Sequence, residues 1–176
     1  AAVDKIEAYA GSNTNPAPEL ADYSTAGITG VTAENLADVN AAIDAAEAAG
    51  ADSASEIQAI VDQVIADLAA AAAVVAAVDK IEAYAGSNTN PAPELADYST
   101  AGITGVTVEN LSDVNAAVDA VEATGADTAS EIQAIVDQVI VDLAAAAAVV
   151  AAVDKIEAYA GSNTNPAPEL ADYSTA

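Results

Sequence analysis

The chain has no cysteine, histidine, arginine, methionine, tryptophan or phenylalanine, and its positive side chains are Lys5, Lys80 and Lys155. Without cysteine there is neither a disulfide nor thiolate chemistry. Without cysteine and histidine, zinc lacks its usual ligands and a hydroxyl or thiol nucleophile lacks its usual base. No G-x-S-x-G elbow and no glycine-rich loop ending in lysine is present, which argues against acyl transfer and phosphate cradling. Against 28 acidic residues, three lysines leave a formal charge of -25. A field of that sign repels phosphate, so nucleic acid and anionic membrane surfaces are excluded as partners. Long uncharged runs are scarce too. Leu68–Val78, between Asp67 and Asp79, falls well short of the roughly 20 residues a bilayer needs, so no membrane insertion is expected.

What is present is repetition. AAVDKIEAYAGSNTNPAPELADYSTA starts at Ala1, Ala76 and Ala151, a period of 75 residues. Between residues 1–101 and 76–176 the differences are Ala33/Val108, Ala37/Ser112, Ile43/Val118, Ala46/Val121, Ala49/Thr124, Ser53/Thr128 and Ala66/Val141. A fixed period of this length marks a tandem array whose units mainly contact their neighbours. The apolar fraction of 53% argues against disorder despite the charge, although much of it is alanine and any core is thin. The chain starts and stops partway through a repeat and reads as a window of a longer polypeptide.

Three helices per repeat follow from periodicity and caps. Thr32 precedes a segment with apolar residues at Leu36, Val39, Ile43 and Ala46 and with Gly50 beyond it, predicting a medium helix over about 33–49. Ser53 with Glu56 forms a capping box, kept as Thr128 and Glu131. Ile57, Val61, Val64, Leu68, Ala71, Val75 and Val78 then alternate steps of four and three, predicting a long helix over about 54–85. Gly86 suits a left-handed cap, and Pro93 suits the first position of a short helix ended by Gly102. Tyr98, Ile103 and Val106 are the expected plug at the end of the bundle. The expected fold is all-α: tandem 75-residue three-helix repeats with short, medium and long helices, forming an elongated helical array or fibre. Its frame is a partial repeat 1–26, a first repeat 27–101 and a second repeat 102–176.

The far half of the long helix, AAAVVAAVDKIEAYA, is apolar nearly all round, a pattern that demands burial. The short and medium helices of one repeat are too small to cover it. Another repeat or another chain is therefore expected there, with alanine permitting close helix approach. The expected self-association residues are Ala71, Val74, Val75, Val78, Ile81 and Tyr84, with Ala146, Val149, Val150, Val153, Ile156 and Tyr159 one period on.

Other candidate sites have ordinary explanations. Glu34 and Asp38 lie opposite the medium helix's apolar stripe, and the long-helix acids are spaced off any common face, so no facing carboxylate pair for hydrolysis is expected. The chain is not expected to be an enzyme. Asp52, Ser53, Ser55 and Glu56 offer oxygen ligands for calcium, as does the loop Ser12–Asn15 with Glu19 and Asp22, but capping and turn chemistry explain the same residues. No cofactor is otherwise expected. Lys80, flanked by Asp79 and Glu82, is expected in surface ion pairs worth at most about 1 kcal/mol. The sequon at Asn110 lies in a predicted helix and is absent from the first copy, where Ala37 replaces Ser112.

The segment PELADYSTAGITGVTAENLADVNAAI, followed by SASEIQAIVDQVIADL, resembles helical tandem repeats of very large secreted or surface-displayed adhesin-like bacterial proteins. The likeness runs through Leu20, Tyr23, Ala26-Gly27-Ile28, Gly30-Val31-Thr32, Asn35-Leu36, Val39-Asn40, Ile43, Glu56-Ile57-Gln58 and Val61-Asp62, about residues 18–68 of each repeat. It implies an extracellular or cell-surface stalk or fibre. A fainter similarity, through Ala26-Gly27-Ile28-Thr29 between two helices, is to albumin-binding three-helix modules, and no binding site is carried over from it. The expected function is thus a structural repeat segment of an extracellular bacterial fibre or adhesin stalk whose partner is itself. The alternative is a multivalent binding module for a host or surface ligand, gaining by avidity.

Overall fold

The computed structural model describes residues 1–12, 15–87, 89–161 and 165–175, and among them the chain is all-helical, with no strand. In order, α1 is Ala2–Tyr9, α2 Leu20–Thr25, α3 Leu36–Ala45, α4 Ala54–Tyr84, α5 Leu95–Thr100, α6 Leu111–Asp119, α7 Ala129–Gly161 and α8 Leu170–Thr175. Single 3-10 turns, Ala48–Gly50 and Ala123–Gly125, precede the two long helices. α4 and α7 therefore follow the sequence expectation, and the capping box is formed: Ser53 Oγ and amide both reach Glu56, at 2.8 and 3.1 Å, and Thr128 does the same with Glu131.

The medium helix is shorter than its periodicity suggests. Asn35, not Thr32, is its N-cap, because the Asn35 side chain accepts from the Thr32 amide at 2.8 Å and donates to the Gly30 carbonyl at 2.9 Å. That closed turn spends residues 32–35 before the helix begins. At its other end Glu47 takes φ 58, a left-handed conformation that stops α3 ahead of Gly50. The short helix also starts later. Glu94, not Pro93, precedes its first turn, and the Glu94 amide donates to Asp97 Oδ2 at 2.7 Å. Its end is a Schellman turn, as the sequence suggests: Gly102 at φ +77 donates to Ser99 and Ile103 to Tyr98, at 3.2 and 2.9 Å.

The compact units are Ala1–Ala72 and Ala73–Ala176, so they do not share the frame of the 75-residue repeat. The division falls inside α4. In the first unit Ile6, Tyr23, Ile28, Val39, Ile43, Ala51, Ile57 and Val61 make one core. Its helices are the end of one long-helix copy, the short helix, the medium helix and the start of the next long helix. In the second unit the corresponding set is Ala77, Ile81, Tyr98, Ile103, Val114, Val118, Ala126, Ile132 and Val136. Tyr98, Ile103 and Val106 thus sit together as expected. A repeat frame beginning at residue 27 cuts this core in two, because Ile81 belongs with the helices that follow it. Full burial of each isoleucine or valine in these sets contributes about 1.5–3 kcal/mol.

Candidate assembly surface

The twelve predicted self-association residues divide into different environments. Ile81 is fully buried, and Val78 and Tyr84 are partly buried against the same core. These three bind the second unit together and do not form a free face: of the two expected sources of cover, another repeat or another chain, they meet the first. The cover over the last turns of α4, from Ala77 to Tyr84, comes from α5, α6 and the start of α7 in the same chain. Ala71, Val74 and Val75 remain exposed, as do Ala146, Val149, Val150 and Val153 on α7. Val75 is 59% and Val150 58% exposed. Ile65 and Leu68, with Ile140, Val141 and Leu143, are exposed on the same helices, and the sequence had not marked them as self-association residues. Their 3.5-residue spacing placed Leu68 on the core stripe, but the medium helix ends too soon to meet it.

The exposed middle of each long helix needs no tertiary contact to remain helical. Residues 69–73 are all alanine, the best helix former, so the backbone keeps its i to i-4 bonds where the core stops. The cost is an apolar band in water, which is the feature a partner helix would remove. By length and composition α4 and α7 also qualify as apolar enough to cross a bilayer, with mean hydropathy 1.9 and 2.0 in windows that are 6% and 11% buried. That corrects the sequence criterion, which admitted no acid at all; the charge-free run between Asp67 and Asp79 is still Leu68–Val78.

Charged groups brace the short helices. Lys80 pairs at 2.5 Å with Asp97 on α5, not with its neighbours Asp79 and Glu82, because the end of α4 packs along α5. Lys5 with Asp22 at 2.5 Å and Lys155 with Asp172 at 2.6 Å repeat the arrangement. The Lys5 ammonium and then the Glu19 amide hold Asp22 below the usual carboxylate range. At Asp97, partial burial pushes upward, but Lys80 and the Glu94 amide outweigh it and the carboxyl still falls below its ordinary value.

Asp52 and Asp127, at the starts of the long helices, are raised above their ordinary value. The first cause is a shared hydrogen bond with Glu56 or Glu131, and the second is the repulsion of those carboxylates. Ser53 and Glu56, two of the four calcium-candidate residues, are engaged with each other as cap partners. In the second candidate loop Asp22 is taken by Lys5 and by the Glu19 amide, Asn15 donates to the Ala8 carbonyl, and Asn13 and Thr14 lie outside the described residues. Among the described residues no group of three or more acidic side chains is arranged to hold a metal ion.

One open groove of about 470 Å³ runs between α6 and α7, lined by Ala117, Val121, Ile135 and Val139 with Gln138 and Asp142 at its rim. Val121, one of the positions that differs between copies, is part of its wall. In comparisons with family models, with curated proteins and with solved structures, the chain has no match.

Proposed function

We propose that this chain is a structural, non-catalytic repeat segment of an extracellular fibre or adhesin-type stalk, and that copies associate through the Ala/Val-rich middles of their long helices. The repeats would form an elongated array of three-helix units 75 residues apart. The observation that carries the reading is the exposed apolar band on α4 and α7, centred on Val75 and Val150, in a chain whose formal charge is -25. Alanine flanks each valine pair, Ala73 and Ala76 around Val74-Val75 and Ala148 and Ala151 around Val149-Val150, and lets two such helices approach closely, so the band suits a second helix of its own kind. The acidity sets the conditions, since like-charged chains meet only where salt or acid reduces their repulsion.

The test is light scattering of the full chain over a rising concentration series at fixed salt, compared with the double variant Val75→Glu and Val150→Glu. The reading expects growing mass for the parent and a monomer for the variant. A parent that stays monomeric at millimolar concentration and at high salt overturns it.

A further inference from the structure

Each medium helix ends on a carboxylate with one oxygen shut off from water and without a hydrogen-bond partner: Asp44 Oδ1 in α3 and Asp119 Oδ1 in α6. Asp119 is the last residue of α6, and Asp44 the last but one of α3. Backbone bonds fix both positions. Gly86, at φ +65, donates its amide to the Asp119 carbonyl at 3.1 Å, and Gly11, at φ +67, donates to the Asp44 carbonyl at 2.9 Å. Neither helix has a basic residue in its last turn. A helix C-terminus already carries partial negative charge, so a carboxylate there calls for a cation. The carboxylate charge is spread over both oxygens, and isolating one of them leaves that charge poorly compensated.

The chain's own cations are spent elsewhere. It has no arginine or histidine, and Lys5, Lys80 and Lys155 bridge to Asp22, Asp97 and Asp172. The N-terminal ammonium lies on Asp4. Beside Asp119, however, there is room for a ligand. An open groove of about 580 Å³ is lined by Asp119 with Tyr84, Val108, Leu111, Ser112 and Asn115. That volume is in the range of small-molecule sites. Val108 and Leu111 give the groove apolar surface, and the half-buried Tyr84 brings an aromatic ring, whose face attracts cations. Asn115 is committed to Tyr98 and Pro93. Asp119 is the single carboxylate among the lining residues, whereas a hard divalent ion gathers several oxygens. The setting therefore suits an organic cation.

From the isolated carboxylate oxygen, the spent lysines and the mixed groove we infer that the Asp119 groove binds an alkylammonium group. The ammonium pairs with Asp119 near Tyr84, and an unbranched tail lies along Val108 and Leu111. Free small amines and lysine side chains both carry this chemistry. The groove is assigned to a free amine, which fits whole within its volume. The assignment is independent of whether copies of the chain associate.

The test is an NMR titration of the full chain with butylammonium chloride at constant ionic strength. The Tyr84 ring signals should shift and saturate below about 10 mM. Butanol, with the same tail and no charge, should not reproduce the shift. Asp119→Asn should weaken binding at least about tenfold. Asp113→Asn changes the net charge equally at an exposed α6 residue outside the groove, and should leave binding as it is. Val108→Lys, at a position 76% exposed, sets a rival ammonium in the groove and should also weaken binding at least about tenfold.

An unsaturated Tyr84 response, equal binding of butanol, or equal losses for Asp119→Asn and Asp113→Asn each overturns the proposal. If Asp119→Asn loses its helical circular dichroism, Val108→Lys decides, and undiminished binding by that variant overturns the proposal. Blocked lysine, acetylated on its α-nitrogen and amidated at its carboxyl, distinguishes the two sources. It should bind no more tightly than butylammonium; binding tenfold tighter overturns the assignment to a free amine.

Discussion

The Tyr98 hydroxyl donates to Asn115 Oδ1 at 2.6 Å, tying the short helix to the medium helix across 17 residues of chain. Asn115 returns its amide to the Pro93 carbonyl at 3.0 Å, and Tyr23, Asn40 and Pro18 repeat the triad one period earlier. The tyrosine ring is fully buried, so its hydroxyl needs this partner. Burial also raises the phenol above its ordinary pKa, with Tyr84 and Asp97 adding to the shift. Tyr98→Phe should cost about 1–2 kcal/mol in urea denaturation. Asn115→Asp should cost more, because it removes the donor to Pro93 and sets a carboxylate against that carbonyl. Equal or smaller loss for Asn115→Asp would contradict the triad.

Glycine at one repeat position has opposite roles in two copies. Gly86→Ala should destabilise by about 1–2 kcal/mol, since it strains a left-handed residue. Gly161→Ala, in a helical residue with nothing within 4 Å of the added carbon, should leave the chain unchanged or stabilise it by up to about 1 kcal/mol. Thermal and urea unfolding of the two single variants test this, and matching effects would show that the two glycines share one conformation.

Removal of the lysine partner should reverse the direction of an aspartate shift. Asp97 sits below its ordinary pKa only because Lys80 and the Glu94 amide outweigh partial burial. In Lys80→Met, carbon-detected NMR titration should move the Asp97 midpoint upward. For the sign, a depressed carboxyl contributes stability above its unfolded pKa of about 3.9, and that contribution disappears as pH falls through the lower folded value. The parent should therefore hold its α4–α5 contact to lower pH than the variant. An unmoved midpoint would disprove the bridge.

The caps of the long helices should be separable from any calcium effect. Thr128→Ala removes the hydroxyl that Glu131 accepts from at 2.7 Å. It should cost about 0.5–2 kcal/mol, seen as a lower denaturation midpoint. The loss should be the same in chelator and in millimolar calcium; a loss that appears only with calcium would make Thr128 part of an ion site.

Association should grow with salt and with acid. The chain carries -25 charges, and the bands around Val75 and Val150 meet only when that repulsion is screened. Sedimentation at 10 mM and 500 mM sodium chloride should show larger species at the higher salt, and at pH 4.5 relative to pH 7. Larger species at low salt would mean that ion pairs, not the apolar bands, join the copies.

Helical class, the two long helices, the capping boxes and the tyrosine plug were legible in the residues alone. Each depends on neighbours within a turn or two, or on a period that chain geometry imposes. The ends of the medium helix were less legible, because Asn35 bonds back to Thr32 and Gly30 in a turn that apolar spacing does not reveal. The burial of Tyr98 was less legible than its helix, because it depends on α6 and α7, which follow it in the chain.

Local sequence thus determined where the backbone coils, since alanine propensity, caps and 3.5-residue spacing act along the chain. Only the packed structure decided which apolar residues are core and which are surface. Burial depends on what else arrives at the same place, and for Ile81 the arriving helices come after it, across the repeat boundary.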